Sequence, residues 1–264
     1  MGVTATSSRF LHAAQRRGVS FHRTLTLGAQ DLYDAGPIRS AVPLFRALGA
    51  QAVDALDHSD YEGASIIHDL NKPVPEDMRG QYTVVFDGGT LEHIFDATSA
   101  LRHAMTLVAP GGHYIAASPG NNQMGHGFYQ FSPEFFFRAI DAESHFRVER
   151  LLAVEQRMWR SRWFDVRDPA ESGRRYQLRS NHPVELFLQA RCLLASRESE
   201  PLIPQQSDYV VAWEKGSVPR RSFQGRIRDS LPPSMIRLVE PLARYRKTSW
   251  SNGGFRRLRS WEID

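Results

Sequence analysis

Residues Tyr82–Pro119 read YTVVFDGGTLEHIFDATSALRHAMTLVAPGGHYIAASP, and the order of signals in this stretch decides the fold class. Thr83-Val84-Val85-Phe86 is a short, β-branched apolar run of the kind that lies buried in a parallel sheet. Asp87-Gly88-Gly89 stops the run with a turn whose glycines let backbone approach a ligand at the strand's carboxyl end. Ala100, Leu101, Ala104, Met105 and Val108 then recur at helical spacing until Pro110-Gly111-Gly112, and Tyr114–Ala117 predicts a second strand running out to Pro119. Strand, helix and strand in this order make one right-handed crossover, which puts the chemistry at its Asp87 and Pro119 ends.

The rest of the chain sets the bounds. With 264 residues it can bury one substantial core with one elaboration, or two small domains. A hydrophobic content of 41% and a charged content of 23% are ordinary for a globular protein. No apolar run approaches the roughly eighteen residues of a membrane span, and MGVTATSSRFLHAAQRR lacks the apolar core of a signal peptide, so the cytoplasm is the expected location. The single Cys192 excludes an internal disulfide and a cysteine-rich zinc site. Charge is unevenly placed: residues 216–264 carry 11 Arg and Lys against 4 Asp and Glu, while the rest carries 22 against 25.

Asp87-Gly-Gly-Thr-Leu-Glu-His-Ile-Phe-Asp96, followed by Leu107-Val-Ala-Pro-Gly-Gly-His-Tyr-Ile-Ala116, resembles the middle of a class I S-adenosylmethionine-dependent methyltransferase (methyltransferase type 11-like). In that family a D-x-x-x-LEH-[IV]-x-D segment precedes L-x-PGG. The resemblance implies an α/β fold, a Rossmann-like three-layer sandwich whose mostly parallel seven-stranded sheet has one antiparallel strand. Residues 1–215 would form this domain, with an Arg-rich helical insertion at about 156–206, and residues 216–264 a basic C-terminal extension. Thr24–Leu27, Gln51–Leu56, Ala64–Ile67 and His145–Ala153 read as the first, second, third and sixth strands. Ser207–Glu214 reads as the seventh, which in this fold inserts antiparallel beside the sixth. Residues 6–17, Pro37–Leu48 and Val184–Ala195 read as helices, the last serving as a lid, a dimer surface or core packing.

The same resemblance assigns a cofactor, S-adenosyl-L-methionine, and positions for it. In the family the first strand leads into an acidic residue followed by G-x-G-x-G. Here the segment is Thr26-Leu-Gly-Ala-Gln-Asp31, where only Gly28 survives and Gln30 or Leu32 would crowd a close approach, although Gln30 can also offer polar contacts. Asp57, at the second strand's end, is placed to accept from both ribose hydroxyls, and Asp69 with Leu70 to hold the adenine. Asp87, Gly88 and Gly89 fall near the sulfonium end. No metal is expected: a triad of Asp87, Glu92 and His93 was weighed, but neighbours on a helix diverge by about 100°. Glu92 is read as a helix-starting residue and His93 as packing beside the cofactor.

Ser118 to Glu134 mixes glycine, asparagine and histidine with aromatics, in the region where the resembled fold takes its methyl acceptor. His126 is the candidate general base, with His93 as the other catalytic candidate, because methyl transfer to oxygen needs alignment and removal of a hydroxyl proton. Asn121, Asn122 and Tyr129 are the candidates to orient a small or glycan-like acceptor. The basic tail, with Trp250, Phe255, Leu258 and Trp261, suits peripheral contact with an anionic membrane face or another polyanion, or docking back onto the body, and no nucleic-acid motif is present. Two functions follow: an O-methyltransferase, which would be a homodimer if Val184–Ala195 forms a subunit surface, or a catalytically inactive scaffold of the same fold acting through its tail.

Overall fold

The computed structural model describes residues 2–33, 39–60, 62–140, 144–158, 160–194, 204–214, 235 and 248–264. Its centre is the crossover read above. Strand β7 (Tyr82–Asp87) leads through a 3-10 turn at Leu91–His93 into helix α3 (Ala97–Thr106) and returns as the long strand β8 (Val108–Asn121), parallel to β7. Before it come β1 (Gly2–Thr4), α1 (Ala5–Arg16), β2 (Arg23–Leu27), β3 (Asp31–Tyr33), β4 (Arg39–Ser40), α2 (Val42–Ala47), β5 (Ala52–Asp57) and β6 (Ile66–Ile67). After it come α4 (Pro133–Ala139), β9 (Phe146–Glu155), β10 (Arg162–Val166), α5 (Pro169–Ser172), β11 (Val184–Cys192), α6 (Ser207–Glu214), β12 (Phe255–Arg257) and α7 (Ser260–Ile263).

Among the described residues the main sheet has nine strands in the order β12-β10-β9-β11-β8-β7-β2-β5-β6. From β6 to β8 every pairing is parallel. β11 is antiparallel to both β8 and β9, so β9 runs with the parallel group and β11 is the reversed strand beside it. β10 and β12 extend the sheet antiparallel at that edge. Alternation of side chains across the strands makes two cores and hence three layers. Val84, Phe86, Ile115, Leu152, Val154 and Phe187 face Phe10 and Leu11 of α1 and Phe45 of α2. Leu25, Val85, Tyr114, Leu151, Leu186 and Leu188 face Leu101 and Met105 of α3 and Phe136 of α4.

Two segments exchange the roles expected of them. Val184–Cys192 is the reversed strand and not a helix, and Ser207–Glu214 is a helix and not the seventh strand. A short apolar run satisfies either period, and burial on both faces decides for strand: Leu186 and Leu188 enter one core while Phe187 enters the other. It lies inside the sheet between β8 and β9, so it is neither a lid nor a dimer surface. In α6 the backbone N–H and hydroxyl of Ser207 both donate to Glu134 of α4, and Tyr209 and Trp213 stack four residues apart on an exposed face. The Arg-rich stretch about 156–206 thus contributes β10 and β11 as well as the short α5. Helix α2 is shorter than expected: Arg39–Ser40 pairs with Asp31–Leu32, and the expected start at Pro37 lies outside the described residues.

Within the expected basic extension, residues 216–234 and 236–247 lie outside the description. Residues 248–264 dock on the body: β12 pairs with β10, Trp250 stacks on Phe164 with ring centroids 3.8 Å apart, and Asp264 receives Arg9 and Arg16 from α1. Phe255 and Leu258 are buried, and Trp261 is exposed. No helix among the described residues is long and apolar enough to cross a membrane.

Candidate active site

The site lies at the carboxyl ends of β7 and β8, in a cavity of about 330 Å³. Gly88, Gly89, Glu92 and His93 enter it from the turn after β7, Ser118 and Pro119 from the end of β8, Gln123 and His126 from the following loop, and Glu185 from β11. Gly2, Thr4, Ser7 and Tyr33 complete its wall, because β1 pairs with β3 in a small sheet over this edge.

The sequence brings these groups together by specific contacts. Asp87 shapes the turn: one carboxylate oxygen accepts from the N–H groups of Gly89 (3.2 Å) and Thr90 (2.7 Å), and the other accepts from the Tyr114 hydroxyl (3.0 Å). The Thr90 hydroxyl ties the turn to β2 by donating to the Leu27 carbonyl at 2.8 Å. His126 reaches Glu92 because the N–H of Phe128 donates to the Glu92 carbonyl at 2.7 Å. Between them, a Cβ on Gly127 would lie 2.7 Å from that carbonyl oxygen, so only glycine allows the loop this close. The result is Glu92 Oε1 at 3.5 Å from His126 Nε2, with the His93 and His126 rings 5.4 Å apart.

Electrostatically the cavity gathers buried carboxyl groups. Glu92 is 1% exposed, and burial, reinforced by the charges of Asp87 and Glu185, pushes its carboxyl up to about 8. Burial raises Glu185 as well, and burial with the neighbouring His126 lowers His93. Among the described residues Glu92 Oε2, Glu185 Oε2 and Ser118 Oγ are buried without a hydrogen-bond partner.

The expected cofactor residues divide into two groups. Gly88 and Gly89 line the cavity, while Asp87 is fully buried with both oxygens engaged in holding the turn. Gly28, with φ of 75°, donates its N–H to the Leu56 carbonyl at the end of β5. Gln30 lies folded inward, 6% exposed: its Nε2 donates to the Leu27 carbonyl at 2.7 Å, and its Oε1 sits 2.2 Å from where a Cβ on Gly88 would be. Its side chain fills the space over Gly88 that a close backbone approach would need. Asp57 ends β5 half-buried and accepts from the His58 N–H at 2.6 Å. Asp69 is held in a turn by the backbone N–H and the side-chain amide of Asn71, which hold its carboxyl below the usual range, and Leu70 is buried.

The expected acceptor residues make hydrogen bonds within the loops. Asn121 and Asn122 donate to the carbonyls of Leu178, Ser180 and His182, and the Tyr129 hydroxyl donates to the Phe95 carbonyl. Of the two expected catalytic histidines, both line the cavity. Sequence reasoning missed Ser118, Gln123 and Glu185. A lone acid inside Val184-Glu185-Leu186-Phe187-Leu188 was the available signal, since a buried carboxylate in an apolar strand requires a purpose.

No family model matches this chain. The strand order, with one reversed strand beside the sixth parallel one, is the arrangement that the sequence resemblance implies. The fold is a Rossmann-like α/β sandwich with a large, mostly parallel sheet. The chain is similar to the ubiquinone biosynthesis O-methyltransferase of Acinetobacter baylyi, 29% identical over 91 residues that make up 33% of this chain and 38% of that relative, so it spans well under half of the curated relative's length. Among solved structures, an S-adenosylmethionine dependent methyltransferase from Mesorhizobium loti aligns with 67% of this chain and 95% of its own at 14% identity and a TM-score of 0.40. The Burkholderia thailandensis 1,6-didemethyltoxoflavin-N1-methyltransferase aligns with 71% of this chain and 80% of its own at 15% identity and a TM-score of 0.40.

Proposed function

We propose that this protein is an S-adenosylmethionine-dependent methyltransferase that methylates an oxygen of a small or carbohydrate-like acceptor seated in the cavity beside Gly88. The observation that carries the reading is the polar cavity at the carboxyl edge of β7 and β8, where a doubly wound sheet offers its site, lined by glycines on one side and by Glu92, His93 and His126 on the other. Similarity to O-methyltransferases over part of the chain supports oxygen as the atom methylated. Asp57 would take the ribose and Leu70 would pack against the adenine, with the sulfonium at Gly88-Gly89.

The reaction is an in-line displacement: the acceptor oxygen bonds to the methyl carbon, the carbon–sulfur bond breaks to leave a neutral thioether, and the hydroxyl proton departs. The protein then has to align the acceptor and receive that proton. Ser118 and Gln123 are the polar groups available for alignment, and the proton is lost within the Glu92–His93–His126 group.

A second reading, an inactive scaffold of the same fold, is favoured by one observation, the Gln30 side chain occupying the space over Gly88. Titration calorimetry with S-adenosylmethionine separates the two. Micromolar binding that weakens in Asp57→Ala, together with a His126→Ala variant that turns over roughly a hundredfold slower at unchanged cofactor affinity, supports the enzyme. Absence of heat at millimolar cofactor supports the scaffold.

A further inference from the structure

Glu92 stands on the 3-10 turn after β7 beside His93, and His126 is brought to it by the Phe128–Glu92 backbone hydrogen bond. One ligand atom from each of the three lies within 4.8 Å of the others. A divalent ion bound by nitrogen and carboxylate at about 2.1 Å holds its donors roughly 3.4 Å apart in a tetrahedron, so the cluster needs less than about 1.5 Å of closure. The two imidazoles are exposed and have room to rotate, while Glu92 is fixed by burial.

A second observation points to a cation. Glu92 Oε2 is buried, faces this cavity and has no partner, and Glu185 brings another buried, unpartnered carboxylate oxygen to the same wall. Two buried carboxyl groups with unpartnered oxygens share one small cavity, and among the described residues no Lys or Arg lines it. His126 approaches Glu92 Oε1 at 3.5 Å, and Oε2 of the same carboxyl stays without a hydrogen-bond partner among the described residues.

We propose that Glu92, His93 and His126 form a binding site for a divalent transition metal such as Zn²⁺, Co²⁺ or Mn²⁺, with Glu185 as a nearby carboxylate that adds to its attraction. Two imidazole nitrogens with one carboxylate suit these ions better than Mg²⁺ or Ca²⁺, which favour all-oxygen surroundings. The site rests on the proposed function only for its use: with the ion bound, His93 and His126 would hold it in place of acting as the base, and the acceptor hydroxyl would be placed at the position left open on the cavity side. Binding itself requires no methyltransferase activity, so the two claims fail separately.

The test is Co²⁺ titration of the untagged full chain after chelator treatment, followed by visible absorption and by calorimetry, with Zn²⁺ and Mg²⁺ as comparisons. One equivalent of Co²⁺ is expected to bind with a ligand-field spectrum, to be displaced by Zn²⁺ and to resist Mg²⁺. His93→Ala, His126→Ala and Glu92→Gln are each expected to weaken binding by at least about tenfold, and Glu185→Gln by less. The two histidines are exposed, so their variants report on ligation without a change in the core. Circular dichroism of each variant verifies folding. No saturable Co²⁺ binding below millimolar, or binding equally tight in His93→Ala and His126→Ala, overturns the site. If metal binds as described and S-adenosylmethionine does not, the metal site stands and the methyltransferase reading falls.

Discussion

Replacing Gln30 by alanine tests whether the inward side chain is a plug or a ligand. In the structure it makes one side-chain hydrogen bond, to the Leu27 carbonyl at 2.7 Å, and that carbonyl also accepts from the Thr90 hydroxyl at 2.8 Å, so it keeps a partner when Gln30 is removed. Its Oε1 is buried without a partner. Losing one neutral hydrogen bond costs about 0.5–1.5 kcal/mol, and removing an orphaned acceptor returns about 1–3 kcal/mol, so Gln30→Ala should lie between about 0.5 kcal/mol less stable and about 2.5 kcal/mol more stable than the parent. For cofactor binding, the parent must first break that bond and turn the amide out from above Gly88. The variant skips this step, and about 1 kcal/mol converts to roughly fivefold tighter binding of S-adenosylmethionine. Calorimetry on the two proteins, with denaturant unfolding alongside, gives both quantities. Weaker binding in Gln30→Ala would refute the plug and restore Gln30 as a cofactor contact, the role its sequence position suggested.

Two further measurements address the scaffold that holds the site. Phe187 is fully buried between Phe10 and Trp163, with ring centroids 5.3 and 5.6 Å away, so Phe187→Ala should lower unfolding free energy by about 3–5 kcal/mol in denaturant titration; a loss under about 1 kcal/mol would contradict β11 as an interior strand. Asp96 caps α3, accepting from the Ser99 N–H and the Thr98 hydroxyl, contacts that bring its carboxyl down to about 2. Because the folded value is depressed, its contribution is present above about pH 4 and is lost as pH falls toward 2. Asp96→Ala should therefore cost about 1 kcal/mol at neutral pH, with the gap to the parent closing in that acid window, as thermal melts across pH would record.

The crossover was legible because each of its signals is local. A β-branched run, a glycine turn, a helical repeat and a second strand need no partner to be recognised, and the sequence resemblance then placed them in a known order. The exchange between Val184–Cys192 and Ser207–Glu214 was not legible, because their assignment depends on neighbours far away in sequence. Val184–Cys192 is a strand because β8 and β9 flank it on both edges, and Ser207 starts a helix because Glu134 receives its N–H. The site divides on the same line. Gly88, Gly89 and His93 follow directly from the turn after β7, and they line the cavity. Asp87 occupies the expected place, but its contacts turn on Tyr114, which lies 27 residues later and donates its hydroxyl to the second carboxylate oxygen. Glu92 and His126 could be named as separate residues, but their 3.5 Å approach depends on Gly127 clearing the Glu92 carbonyl, a contact that no periodicity encodes. The same closure assembles the buried acid and the two imidazoles, so a bulkier residue at Gly127 should disturb metal binding and acceptor binding together while leaving the distant Asp57 edge of the sheet intact.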